Sequence, residues 1–291
     1  MIRRIRDALR TLLLGVVQEG TRAELAGTVD ELAALRGEVR GLHERVDALD
    51  AGMKAWERRT RRDVITGVEQ EAMRTSAQFL RAEFGPAEPY FDKYETLRDA
   101  LARAPQEGLF LEFGVASGST LEVIVERAPA HTVYGFDSFE GLPEDWRPGF
   151  PAGAFATEKL PDVPGADLVV GLFEDTLPAF LEQHPGPVAF LHLDADLYSS
   201  TRTVLTALAP RLRAGTVIVF DEYFNFPGWE EHEHRAWTEF VAEHELRFEY
   251  LGYTADDEQV VVRLLTAPSV ADDEPANEAS EHAPSLESAH S

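Results

Sequence analysis

Cysteine is absent from all 291 residues. That excludes a disulfide framework, a thiolate zinc site, an iron–sulfur cluster and a cysteine nucleophile. Compartment is read only weakly from it, with a cytoplasmic setting as the expectation. Basic residues are scarce, with 27 Lys and Arg against 52 Asp and Glu and a formal net charge of −25. The shortage is uneven. Residues 1–62 hold 13 basic and 10 acidic side chains, while residues 266–291 hold six acidic and no basic ones. The deficit therefore falls mainly on residues 63–265, a body that repels phosphodiester backbones, so nucleic acid is not an expected partner. Long apolar runs are missing too. Leu12 to Val17 falls far short of the roughly 20 residues a membrane span needs, and no clean small-residue cleavage site follows it. What remains is ordinary for a folded protein: 44% hydrophobic and 10% aromatic residues supply a sizeable core.

The N-terminal 62 residues read as helix. Ile2, Ile5, Leu9, Leu12, Leu13 and Val16 share one helical face, with Arg3, Arg6 and Arg10 mostly off it. Residues 1–17 thus permit a peripheral contact with an anionic membrane, although the first turns of an oligomerisation helix are the plainer expectation. From Leu25 the pattern becomes a heptad. Leu25, Leu32, Val39, Val46 and Met53 stand seven apart, with Leu35, Leu42, Leu49 and Trp56 interleaved. These are the a and d positions of a left-handed coiled coil, which needs a partner and suggests a homo-oligomer. Gly37, Gly41 and Gly52 each cost the helix about 1 kcal/mol relative to alanine. The cluster Arg58, Arg59, Arg61 and Arg62 marks a junction.

Beyond it, residues 63–265 read as one α/β domain opened by helices that break at Gly85–Pro89. Apolar runs at Leu109–Phe113, Thr132–Phe136, Asp167–Leu172, Val188–Leu193 and Thr216–Phe220 alternate with helical stretches at 119–127, 177–183, 201–213 and 232–244. Two last runs, 248–253 and 259–265, flank Ala255–Glu258 as an antiparallel hairpin. Five β/α units and a hairpin predict a mostly parallel, Rossmann-like sheet with helices on both faces and an antiparallel edge. Residues 266–291 have the composition of a disordered acidic tail.

In such sheets ligands bind beyond the carboxyl ends of the strands. The first strand ends in Glu112-Phe113-Gly114-Val115-Ala116-Ser117-Gly118-Ser119. Gly114 permits a tight turn, Gly118 close backbone approach, and Ser119 or Thr120 a helix cap. Glu112 at the mouth of that turn suits a sulfonium or ammonium group better than a pyrophosphate. Asp137, at the tip of the next strand and followed by Ser138, stands where a ribose diol would be held. His192, Asp194 and Asp196 alternate along the fourth strand. Asp221 and Glu222 follow the fifth and can converge only if that strand stops at Phe220. Three or four carboxylates at neighbouring strand ends repel one another unless protonated or bound to a hard cation such as Mg²⁺ or Ca²⁺; the plainer alternative is a solvated acidic rim. Glu231–His234 is read as a solvated helix face rather than a metal tract. Phe224, Phe226 and Trp229 either line an acceptor pocket or cover the sheet.

Five segments in order, Leu111–Gly118, Gly135–Pro143, Phe173–Pro178, His192–Thr201 and Val219–Tyr223, resemble a known family. The stretch from about Tyr90 to Leu265 is similar to class I S-adenosylmethionine-dependent methyltransferases of the macrocin O-methyltransferase type. The resemblance implies that Glu112, Gly114, Ala116, Gly118 and Ser119 form the cofactor loop and that Asp137 and Ser138 lie at the ribose. It also implies Phe173 near adenine, and Asp194, Asp221 and Glu222 around a divalent cation, Mg²⁺ first, that binds acceptor hydroxyls, with Asp194 catalytic. Two positions depart from the family: Ala116 replaces the middle glycine of the loop, and Glu222 replaces an aspartate. The function to expect is metal-assisted O-methylation of a small-molecule or glycan hydroxyl. The competing expectations are a catalytically silent coiled-coil scaffold and a metal-dependent hydroxylase or hydrolase on a similar sheet.

Overall fold

The structure, a computed structural model, describes residues 2–128 and 133–269. Two compact units are present, one spanning residues 1–67 and the other beginning at Val68.

The first unit is dominated by α1 (Ile2–Arg62), one uninterrupted helix of 61 residues. Its heptad side chains from Leu25 to Trp56 are 49–70% exposed. The helix glycines meet nothing where a Cβ would stand, so they weaken the helix without serving any packing inside it. The helix stops at Asp63, whose Oδ1 accepts the Ile65 N–H and caps α2 (Val64–Glu83). No described helix is long and apolar enough to cross a membrane.

The second unit is an eight-stranded sheet wrapped by helices. In chain order its elements are β1 (Glu88–Tyr90), α3 (Lys93–Arg103), β2 (Leu109–Phe113), α4 (Ser119–Arg127), β3 (Val133–Asp137), β4 (Ala166–Val170) and α5 (Phe173–Gln183). Then come β5 (Val188–Leu193), α6 (Tyr198–Leu208), β6 (Val217–Phe220), α7 (Glu233–Glu243), β7 (Phe248–Thr254) and β8 (Val260–Leu264). The sheet order is β1-β7-β8-β6-β5-β2-β3-β4, with β8 antiparallel to both β6 and β7 and every other pairing parallel. All six residues of β5 are buried, which is why it reads as a continuous apolar run: helices cover both of its faces.

The expected strands form within a residue or two of their expected bounds, and Thr132 lies outside the described residues. The expectation of an antiparallel edge needs correction. The hairpin β7–β8 lies inside the sheet, because β1 pairs parallel to β7 and takes the edge. Three residues after Gly85-Pro86 carry no periodicity of their own; their partner arrives some 160 positions later. Residues 270–291, most of the expected tail, lie outside the described residues.

The topology fixes where a ligand can sit. From β2 the chain builds outward through β3 and β4, then crosses to the other side of β2 for β5 and β6. The crevice between the carboxyl ends of β2 and β5 is therefore the switch point of the sheet, the position at which open α/β sheets bind ligands.

Candidate active site

Backbone hydrogen bonds run past the strand ends at this crevice. Gly114 N–H donates to Phe136 O at 2.9 Å, Asp194 N–H to Phe113 O at 2.9 Å and Asp221 N–H to Leu193 O at 2.7 Å. The loops after β2, β5 and β6 are thus held edge to edge. Gly114 has φ +91°, and a Cβ there would lie 1.8 Å from the Asp194 carbonyl oxygen. Only glycine lets the two loops approach so closely. Ala116 also takes a left-handed conformation, φ +43°, which costs a residue with a Cβ about 1–2 kcal/mol. Gly118, not Ser119 or Thr120, occupies the cap position of α4, and no side chain caps that helix. Its first amides are left for backbone or ligand partners.

Asp137 fastens the loop. Its Oδ2 accepts from Val115 N–H (2.9 Å) and Ala116 N–H (2.8 Å), and its Oδ1 accepts from Phe139 N–H (2.7 Å). A carboxylate offers about four acceptor positions, so capacity remains for a hydroxyl arriving from the cavity. Ser138 beside it accepts from Glu140 N–H. Phe173, the first residue of α5, stands edge-on to Phe113 at 5.2 Å.

These loops enclose a cavity of about 680 Å³ lined by Gly114, Ala116, Ser119, Asp137, Ser138 and Phe173 on one side and by Asp194, Asp221 and Glu222 on another. Such a volume fits a nucleoside-sized ligand with room for an acceptor. Two expected cofactor residues are placed elsewhere. Gly118 is packed under Pro161 and Val163. Glu112 has no exposed surface, and its Oε1 pairs with His192 Nδ1 at 2.8 Å. The expectation that Glu112 faces a sulfonium at the loop mouth is therefore corrected. β2, β5 and β6 lie side by side, with Glu112 opposite His192 and His192 opposite Val219. Alternation puts Glu112, His192 and, two residues past Val219, Asp221 on one face. His192 Nε2 lies 3.5 Å from Asp221 Oδ1. Burial alone would lower the imidazole pKa, but hydrogen bonds and charge from Asp221 and Glu112 raise it to about 10. The ring is a buried cation between two carboxylates.

Because β6 stops at Phe220, Asp221 and Glu222 do converge with Asp194. One oxygen from each lies within 4.8 Å of the others. Burial, then the negative neighbour Asp221, pushes the Asp194 carboxyl well above its ordinary range. Burial and the charges of Asp194 and Asp221 do the same to Glu222. Asp221 goes the other way: burial would raise it, but His192 and Lys93 hold it low. Asp196, in a left-handed turn, is raised to about 7 mainly by burial.

Several residues of the site had no signal in the sequence reading. Lys93 follows the α3 cap Asp92 and reaches Asp221 Oδ2 at 3.6 Å. Burial would lower its pKa, but Asp221, Asp194 and Glu222 raise it, so it stays charged. Glu233 does not lie on a solvated helix face, contrary to the expectation for Glu231–His234. Glu233 has no exposed surface and accepts from Ala195 N–H at 3.4 Å and Glu222 N–H at 3.1 Å. The first turn of α7 meets the loops after β5 and β6, and its carboxylate ties them together. The β3–β4 loop supplies a further wall of Trp146, Arg147, Phe150 and Phe155. Arg147 lies over the Trp146 ring at 3.9 Å and pairs with Glu258 at 3.1 Å. Phe224, Phe226 and Trp229 are buried and do not line the cavity. Phe79 of α2 packs on Trp229 at 5.3 Å, so these residues cover the sheet.

A sheet with this order, a glycine turn at its switch point and an acidic residue at the tip of the neighbouring strand is the arrangement by which an open α/β sheet holds an adenosine-bearing ligand. In agreement, residues 111–223 match a family model described as a methyltransferase domain. Among solved structures the chain is similar to the calicheamicin methyltransferase CalS11, with 24% identity over 59% of this chain and 77% of that one and a TM-score of 0.48. It is similar to the O-methyltransferase NovP at 24% identity, 59% and 78% coverage and a TM-score of 0.45. A third similar structure is the MycE methyltransferase of the mycinamycin pathway in complex with Mg and SAH, at 14% identity, 63% and 51% coverage and a TM-score of 0.43. No curated protein sequence matches the chain.

Proposed function

We propose that the protein is a divalent-metal-assisted O-methyltransferase of the macrocin type, acting on a sugar or other vicinal hydroxyl of a natural product or cell-surface glycan. The observation that carries this reading is the carboxylate trio Asp194, Asp221 and Glu222 opening into the same cavity as the Gly114 turn. Its donor set is all hard oxygen, the kind that holds Mg²⁺ or Ca²⁺. Glu222 Oε2 is buried with no hydrogen-bond partner, a cost that a cation would relieve. Six carboxyl groups (Glu112, Asp194, Asp196, Asp221, Glu222 and Glu233) crowd this end of the sheet, against the cations His192, Lys93 and Arg147. A divalent ion offsets part of that excess.

S-adenosylmethionine supplies an electrophilic methyl group on a sulfonium. A divalent cation held by the trio supplies a Lewis acid that lowers the pKa of a hydroxyl. The remaining work falls to the chain. The Gly114–Ala116 turn, fastened by Asp137, fixes the donor pocket, and His192 and Glu233 fix the carboxylates. Orienting the hydroxyl against the methyl carbon supplies much of the rate. As the C–O bond forms and the C–S bond breaks, the hydroxyl proton passes to a carboxylate. In this reading Asp194 takes that proton, its carbonyl and Cβ adjoining the Gly114 turn. The flat rings of Trp146, Phe150 and Phe155 suit the apolar face of a sugar.

Incubation with methyl-labelled S-adenosylmethionine, Mg²⁺ and fractionated cell glycans should transfer label to a hydroxyl-bearing fraction. Label that reaches only amine or thiol acceptors would overturn the reading.

A further inference from the structure

The second feature of the chain that needs a partner is α1. Its exposed seam is regular in a way the rest of the helix is not. With Leu25, Leu32, Val39, Val46 and Met53 at a and Thr28, Leu35, Leu42, Leu49 and Trp56 at d, the glycines Gly27, Gly37, Gly41 and Gly52 fall at c, f, c and g. These four glycines are thus off the seam, and none has another atom within 4 Å of where a Cβ would stand. In the two central heptads a is valine and d is leucine, the combination that favours two parallel strands.

The flanking charges settle on the same arrangement. The g positions include Glu31, Glu38 and Arg45, and the e positions include Arg36, His43 and Asp50. In a parallel, in-register pair each g side chain meets the e side chain five residues further along the other strand. That gives Glu31 with Arg36, Glu38 with His43 and Arg45 with Asp50, each combining an acidic with a basic side chain. The sign of charge inverts along the helix at both positions, so the matching holds in this register and turns repulsive when the strands slip by one heptad, which sets Glu38 against Asp50. We infer that residues 25–56 of α1 are the docking surface for a second copy of this chain, joined as a parallel, in-register two-stranded coiled coil. Both chains then leave the coil at the same end.

The absence of cysteine makes a direct test available. In a parallel in-register coil Leu49 faces the same residue of the other strand, whereas in an antiparallel pair centred on this segment it faces Leu32. The full-length Leu49→Cys protein should therefore oxidise to a covalent dimer, and the untreated full-length chain should sediment at twice 32.3 kDa. Arg45→Asp should weaken the dimer about tenfold by turning two symmetric attractions into repulsions. Exchanging the pair, Arg45→Asp with Asp50→Arg, should restore it. A monomer or trimer by sedimentation overturns the inference. So does a Leu49→Cys chain that cross-links only when Leu32→Cys is also present, or a charge exchange that weakens the dimer further, since an antiparallel pairing sets Arg45 against Glu38.

Discussion

His192→Leu is expected to destabilise the domain by about 3–5 kcal/mol, because it removes the cation between two buried carboxylates, leaving Glu112 uncompensated and Asp221 with Lys93 alone. His192 is 1% exposed, Glu112 is fully buried, and the ring contacts both Glu112 and Asp221. A packed leucine would fill most of the space, so the loss would come from charge rather than from a cavity. The triple change Glu112→Gln, His192→Leu, Asp221→Asn should recover much of the stability, since replacing every member of a buried ionic group is far less costly than breaking it. Urea denaturation of the single and triple variants measures both. A single variant as stable as the parent would mean that these carboxylates are neutral in the folded protein and that the imidazole carries no charge there.

The second large effect concerns turnover. Chelation with EDTA should lower methyl transfer to the true acceptor on the order of a hundredfold or more, because Lewis-acid assistance contributes several kcal/mol to the transition state. Added Mg²⁺ should restore it. Asp221→Asn should reproduce most of the loss while leaving cofactor affinity nearly unchanged, since the cofactor side of the cavity is built from Gly114, Ala116 and Asp137. Glu222→Asp tests the departure from the family directly: its shorter reach should shift the trio's ion affinity without abolishing it. Full turnover in excess chelator would make the carboxylates an acidic rim, with Lys93 and His192 among their counter-charges.

Much of this was legible in the chain because both the strands and the site obey short-range rules. A strand buried on both faces is an apolar run, so β2, β5 and β6 stand out, and the residues just past them are where the sheet binds ligands. The convergence of Asp221 and Glu222 followed from where β6 had to stop. Legibility failed where the deciding partner came from far along the sequence. Glu112 looked like a loop-mouth carboxylate until β5 set His192 opposite it. Glu233 looked like one charge among several on a helix until α7 directed its first turn at the loops after β5 and β6. Lys93, and the aromatic wall from Trp146 to Phe155, belong to segments whose own pattern says nothing about the face they present. The edge strand β1 is the same case in the backbone: three residues with no periodicity, paired only because β7 is there.

The central claim is that S-adenosylmethionine sits at the β2–β5 switch point, against the turn that Asp137 fastens. Calorimetric titration of the full chain with S-adenosylmethionine tests it most directly. The account predicts one site per chain, with affinity unaffected by EDTA. It also predicts that Asp137→Ala weakens binding by about 1.5–3 kcal/mol, roughly 10- to 150-fold, as a charge-assisted acceptor is lost. Absence of binding by the wild type, or equal affinity in Asp137→Ala, would contradict it.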